Sequence, residues 1–428
     1  MRGIRPNRLR SRTAAPMAVV VMAVALLAGA CGSTKDSSSS AASTSTNAKA
    51  TAALLGPVDK ASGSPIKVGV ISDGKNEVSD QSYESDVIDA TAKYLNEHKK
   101  GLAGHEIQVV KCIASGDPAK TTDCANEMVR EQVAVVVTGE LQSGENVFQP
   151  LHDAKIPVIW YAAGSSKVVL DKDSSFMLAS ATGPLVDLPI DAAKSAGKEK
   201  VTVVLIDVPA ATAIYETLGK QMFKDAGIAL DIVKIPPGTA DMTPQMQALA
   251  DGDPGNVHIL GTDAFCISAL NGLKAVGYKG PRSMVSQCLS DATRKAIPGA
   301  DLAGIKVATS APIGTKDPGI ELFNAVMKTY APTVPVEKVG AVSMYQTLMS
   351  LSEVLQTYTG DLTPANITAA MKAAPQMEIP ASGGIGFRCN GTASSFAPAV
   401  CAKATLATTL GSNGEATTYK LLNNGPIG

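Results

Sequence analysis

Two hydrophobic periods alternate along the chain. Consecutive apolar, often β-branched runs occur at 66–72 (IKVGVIS), 106–112 (EIQVVKC), 133–138 (VAVVVT) and 156–160 (IPVIW), and each reads as a strand. Between the first two, Tyr83, Val87, Ala90, Thr91, Tyr94 and Leu95 recur at helical spacing, which predicts a helix over 83–98 with one apolar face. Asp117 and Pro118 open a second helix to about 131, with Cys124 and Met128 turned inward, and 146–154 forms a third. Strands that are apolar throughout, alternating with amphipathic helices, predict a parallel sheet covered on both faces.

The alternation then restarts. Strands are predicted at 201–206 (VTVVLI), 230–234, 257–260 and 282–285, with helices at 213–226, 244–250 and 268–276. A third section has a strand at 305–309 and helices at 319–329, 339–358 and 363–373. The end, 383–422, is rich in Gly, Ser and Thr, with short alternating strands. The fold class expected is therefore α/β, with two doubly wound parallel-sheet lobes in series and no short sequence period.

The first residues have a different pattern. Arg2, Arg5, Arg8, Arg10 and Arg12 precede an apolar run over 17–30, an arrangement that describes an export signal. Helical, that run would span about 21 Å, short of a bilayer. Ala28, Gly29 and Ala30 stand directly before Cys31, and this junction resembles a bacterial lipobox, with Cys31 as the lipid-modified residue. The place usually held by a branched apolar residue is Ala28. Residues 1–30 are thus expected as a lipoprotein signal peptide. The Ser-rich stretch 31–64, too poor in large apolar groups to offset its ordering entropy, is expected as a flexible tether.

Charge and cysteine content narrow the classes. The chain carries 38 bases and 39 acids, and five of the bases lie in the leader, so the body is mildly acidic and offers no electrostatic footprint for nucleic acid. Besides Cys31, six cysteines form three local pairs: Cys112 with Cys124, Cys266 with Cys288, and Cys389 with Cys401. Sequential disulfides suit an exported chain, each worth roughly 3 kcal/mol. None of the pairs has zinc-ligand spacing, so no metal and no cofactor are expected.

The order of segments matters more than any one motif. A lipobox and a Ser-rich tether lead into IKVGVIS, CIASGDPAKTTDCANEMV, VAVVVTGELQSGENV, IPVIWYAAGSS, VTVVLIDVPAATAIYETLGKQMFKDAGI and GLKAVGYKG. Over about 65–422 this resembles the type I periplasmic solute-binding proteins of ABC importers for branched-chain amino acids and amides. The resemblance implies two lobes joined by three crossings near 182–186, 310–315 and 379–384. One lobe would hold 65–183 and 312–378, the other 184–311 and 382–428. It also implies a small-molecule solute, an ABC permease as partner, a lipid anchor on the outer face of the cell membrane, and a monomeric receptor.

In open parallel sheets, ligands bind beyond the carboxyl ends of the strands. The loops so marked are 73–80, 141–143 and 161–166 in the first lobe, and 207–211, 263–265 and 287–291 in the second. Gln142 and Ser143 precede a helix, where N–H groups and a hydroxyl suit an anion. By resemblance, Ser143 would hold a ligand carboxylate, with Ala163, Gly164 and Ser165 in a second carboxylate loop. The family's usual acid on the second lobe falls near Gln287 and Cys288, and its usual aromatic residue is replaced by Pro209 and Ala210. The clamp for an α-ammonium is therefore not visible, unless Asp263 or Asp291 supplies it. Tyr161, Phe265 and Tyr215 are candidates for the cavity wall.

Ser143, His152 and Asp153 lie near one another, but no G-x-S-x-G elbow, Walker A or metal-binding histidine spacing accompanies them, so an enzyme is not expected. The expected function is capture of an amino acid, amide or small carboxylate by hinge closure. A ligand-sensing receptor coupled to a signalling partner is the alternative, and a structural envelope lipoprotein a third.

Overall fold

The structure, a computed structural model, describes residues 49–76 and 79–428. The predicted leader and Cys31 lie outside the described residues.

Strands β1 (Gly63–Ser72), β2 (His105–Ile113), β3 (Val135–Thr138), β4 (Val158–Trp160) and β5 (Ser175–Met177) form one sheet in the order β2-β1-β3-β4-β5. Every pairing is parallel. Both faces are covered, which is why these strands are apolar on both sides. On one face Val68, Val70 and Val137 pack with Val87 and Leu95 of helix Tyr83–His98. On the other, Ile71 and Val136 pack with Met128, Leu151 and Trp160.

The second sheet contains β6 (Lys200–Ile206), β7 (Ala229–Ile235), β8 (Asn256–Leu260), β9 (Arg282–Met284) and β10 (Lys306–Thr309), all parallel to their neighbours among these five. A two-stranded antiparallel ribbon, β11 (Met377–Glu378) with β12 (Gly386–Phe387), comes later in the chain. Strands β13 (Thr405–Leu410) and β14 (Ala416–Leu422) then return to the second sheet antiparallel, giving the order β14-β13-β10-β9-β8-β6-β7.

Helices Pro318–Tyr330 and Val339–Leu355 follow β10 in sequence but pack on the first sheet. Phe323 and Tyr345 meet edge to face there, with ring centroids 5.2 Å apart. The chain thus crosses between lobes three times: after β5, after β10, and between residues 402 and 405. The crossings touch one another. A Cβ on Gly183 would lie 2.5 Å from Thr405 Cβ, so the first and third run side by side only because residue 183 is glycine. Gln346, fully buried, donates from Nε2 to the carbonyls of Ser310 at 3.1 Å and Ala381 at 3.2 Å, tying the second crossing to the loop after β11.

Most predicted elements recur within two or three residues, and Tyr83–His98 has the predicted bounds. Two boundaries differ. The third crossing is later than expected: residues 382–402 belong with the first lobe, not the second. Met177 N donates to Ala399 O and Cys401 N to Met177 O, each at 2.8 Å, so this strap runs beside β5. Ala397 and Val400 are buried against Met177 and Trp160. Part of the stretch expected as a tether, from residue 49 on, is folded. Residues 49–55 are helical, Leu55 is buried against the first lobe, and Asp59 and Ala61 donate to carbonyls at the end of helix Tyr83–His98. Leu55 supplies an apolar anchor within the stretch expected to lack one, whereas Leu54 stays exposed.

The three cysteine pairs are bridged in sequential order, Cys112–Cys124, Cys266–Cys288 and Cys389–Cys401.

Candidate functional site

The carboxyl ends of the two parallel sheets face one another across a cleft, and polar groups of both lobes meet there. On the first lobe, β1 ends at Ser72 and Asp73, both fully buried. The Asp73 carboxylate accepts from Gly116 N at 3.1 Å and from Gln142 N at 2.8 Å. One side chain therefore ties together the loops that follow β1, β2 and β3. The Ser72 hydroxyl donates to the Glu84 carboxylate in the first turn of helix Tyr83–His98. Glu84 is 2 % exposed, and burial raises its carboxyl pKa to about 8 against the bond from Ser72, with the nearby charges of Asp73 and Glu140 adding to the rise. Gly139 follows β3 at closest approach to this carboxylate: a Cβ there would stand 2.5 Å from Glu84 Oε1.

Glu140 comes next and projects into the cleft. Glu140 is exposed, and desolvation by the groups around it raises its carboxyl pKa, with hydrogen bonding from Gln287 opposing. Tyr161, half-buried after β4, lies beside it. Its phenol is pushed up to about 12 by burial, with hydrogen bonding to Ser310 and Ser343 opposing and the charge of Glu140 adding. Ser343 Oγ donates to Ser310 Oγ at 3.0 Å, which places a hinge residue at the floor of the cleft. At the mouth, Lys338 of the first lobe pairs with Asp291 of the second at 3.2 Å. The half-buried Tyr83 faces the same Asp291, and burial, with the charges of Glu84, Asp80 and Asp291, raises its phenol pKa.

The second lobe's wall is stapled. Cys266–Cys288 joins helix Asp263–Ala275 to the short turn Ser286–Cys288, so the loops carrying Asp263 and Gln287 are fixed to each other. Asp263 accepts from Ser290 Oγ at 3.2 Å.

Of the residues expected at the site, Tyr161, Gln287 and Asp291 face the opposite lobe. Gln142 lies on the same rim, with Nε2 donating to Asn76 and Ser79 at 3.4 and 3.3 Å. The Ser143 hydroxyl points to Gly116 O at 3.4 Å. Ala163 N contacts Met177 Sδ at 3.2 Å. Gly164 borders open space, since a Cβ there would meet nothing within 4 Å. Ser165 Oγ is buried without a hydrogen-bond partner. Phe265 and Tyr215 do not line the cleft: each is buried in a second-lobe cluster, and Tyr215 donates to Leu185 O at 2.9 Å. His152 turns away from Ser143 toward Ser174, at 3.3 Å. Sequence reasoning missed Glu84, Glu140, Ser310, Ser343 and Lys338. Glu140 directly precedes the marked loop 141–143, two residues after the end of β3.

Residues 65–401 match the family model described as periplasmic binding protein, and the chain belongs to that family. The family is one of extracytoplasmic solute-binding proteins, not of enzymes. Among solved structures, the chain is similar to the branched-chain amino-acid transporter substrate-binding protein LivJ from Streptococcus pneumoniae, in complex with isoleucine. The two are 14 % identical over 83 % of this chain and 99 % of that one, with a TM-score of 0.65. It is similar also to the leucine-binding protein LivK from Thermotoga maritima, at 16 % identity over 84 % of this chain and 99 % of that one, TM-score 0.63. A solute-binding protein from R. palustris in complex with 4-hydroxybenzoate is 21 % identical over 84 % of this chain and 95 % of that one, TM-score 0.60. No curated relative matches the sequence. Among the described residues, no helix is long and apolar enough to cross a membrane.

Proposed function

We propose that the protein is the receptor of an ABC importer, tethered to the outer face of the cell membrane through a lipid on Cys31, and that it captures a small polar solute as a monomer and passes it to a permease. Capture proceeds by hinge closure. A solute that contacts both lobes favours the closed state by its differential affinity for the two states. Closure removes water and strengthens every polar contact inside. The tether keeps the receptor at high local concentration beside its membrane partner. The observation that carries this reading is that groups of the two lobes meet, Lys338 of the first pairing with Asp291 of the second at 3.2 Å, while the crossing residue Ser310 is bonded to Ser343 at 3.0 Å.

The single tryptophan provides the test. Trp160 ends β4, is fully buried, and precedes the cleft residue Tyr161. Solute capture should change its emission and raise the thermal midpoint together. At a hundredfold excess over Kd, binding adds about 2.7 kcal/mol. A broad solute screen that moves neither signal would refute the proposal.

A further inference from the structure

The last residues do not stay with the sheet they complete. β14 is the outer strand of the second sheet and ends at Leu422, which pairs with Thr405 beside the third crossing. Asn423 then takes a φ of 55° and turns the chain, residues 423–426 are exposed, and Ile427 is buried at 4 % exposure. The groups that hold this tail come from the first lobe and the crossing. Ile427 N donates to Gln376 Oε1 at 2.8 Å, Arg388 Nη1 donates to Ile427 O at 3.3 Å, and Asn390 Nδ2 donates to Gly428 O at 2.7 Å. Gln376 follows the first-lobe helix Pro364–Ala373, and Arg388 and Asn390 belong to the strap beside β5. Lys403, in the third crossing, donates to Pro426 O at 2.9 Å. Two cations and two amides thus converge on four consecutive tail groups around one buried isoleucine.

We propose that the first lobe carries a docking site for the chain's own tail, residues 423–428, and that the docked tail is a stop on the opening of the hinge. Leu422 is fixed in the second sheet and Ile427 on the first lobe. The five residues that follow Leu422 reach about 17 Å when fully extended. The turn at Asn423 leaves slack, so the lobes can part until the segment is straight and no further while Ile427 stays seated. Opening beyond that limit must draw the isoleucine into water and break its bonds to Gln376 and Arg388, a cost that the covalent crossings do not impose. The consequence for capture, a mouth of limited width that recloses on its solute, rests on the receptor reading; the tie itself does not.

The test needs no solute. Nitroxide labels at Lys93→Cys in helix Tyr83–His98 and Lys295→Cys in helix Asp291–Ala296, both exposed positions, report the separation of the lobes in the purified protein. Double electron–electron resonance compares the intact tail with a chain ending at Leu422 and with Ile427→Asp, near-UV dichroism verifying the fold of each. The expected result is a longer-distance population that rises about tenfold in both variants, the equivalent of losing one net hydrogen bond. If the shortened chain fails to fold, Ile427→Ala and Gln376→Ala, which leave the backbone whole, carry the same comparison. Hydrogen exchange on the unlabelled protein gives an independent reading, with the Ile427 amide expected to be protected. An unchanged distance distribution in folded variants, or an Ile427 amide that exchanges as fast as in a free peptide of the tail sequence, overturns the inference. Neither result bears on the solute screen that tests the receptor reading.

Discussion

The first lobe buries an acid, Glu84, beneath its cleft wall, whereas the second buries a base, His258, within its sheet. Glu84 is held by Ser72 and has neighbouring carboxylates. His258 lies in β8, fully buried, with Nδ1 2.9 Å from Ser283 Oγ, and burial lowers its pKa to about 3. The walls differ in the same sense. The first lobe's loops are gathered by one carboxylate, Asp73; the second lobe's are fixed covalently by Cys266–Cys288. Each lobe has a bridge beside its wall, Cys112–Cys124 in the first and Cys266–Cys288 in the second, and the first adds a buried carboxylate that ties three loops. The lobes should therefore respond to different chemical stresses.

The largest expected effect tests the covalent side. Replacing Cys266 and Cys288 together by serine should cost about 3 kcal/mol in urea unfolding, from the loop entropy returned to the unfolded chain. If the loss is no larger than for an exposed double substitution, the staple is not what fixes that wall.

Next comes the acid of the first lobe. A carboxyl with a folded pKa of about 8 against an ordinary 4.5 contributes most below pH 4.5 and loses that contribution as pH rises through 8. Glu84→Gln removes this liability while keeping an acceptor for Ser72. It should stabilise the protein by roughly 3 kcal/mol at pH 7, and little at pH 4.5. A gain independent of pH would mean that packing, not ionisation, dominates at Glu84.

The base of the second lobe has the opposite sign. Its folded pKa of about 3 lies below the unfolded 6.5, so its contribution is complete above pH 6.5 and is lost as pH falls toward 3. Acidification from pH 6.5 to 5 should cost about 2 kcal/mol, and His258→Gln should abolish that slope. Hydrogen exchange measured peptide by peptide sharpens the comparison: acid should loosen β8 and β9 first, alkali β1 and helix Tyr83–His98. The smallest effect is at the mouth. The pair Lys338–Asp291 is exposed, so Lys338→Ala should change stability by less than about 1 kcal/mol and widen the lobe separation seen by small-angle scattering only slightly.

The architecture was legible because its signals are local. Apolar runs and helical spacing predict the order of elements over 66–373, and cysteine proximity predicts the pairing. β5 escaped because Ser175–Met177 is too short to carry a period. The strap 382–402 was misassigned because nothing in a Gly/Ser/Thr-rich stretch says which lobe its few apolar residues, Ala397 and Val400, will cover. The site was legible as loops but not as chemistry. That Ser143 would point to a backbone carbonyl, and that Asp73 would occupy the neighbouring donor, are facts of three loops converging. Phe265 and Tyr215 show the same limit: an aromatic residue near a cleft loop is a wall or a core residue according to one rotation of the helix that carries it.

The strap has a consequence for how copies of the protein behave beside one another. The outer strand of a sheet presents a row of unpaired N–H and C=O groups, a template on which a strand of another molecule can add. At β5 that row is engaged by Ala399 and Cys401 of the same chain, within the loop closed by Cys389–Cys401. The covered border keeps neighbouring copies from joining sheet to sheet on that side, so molecules gathered densely on one surface stay separate there.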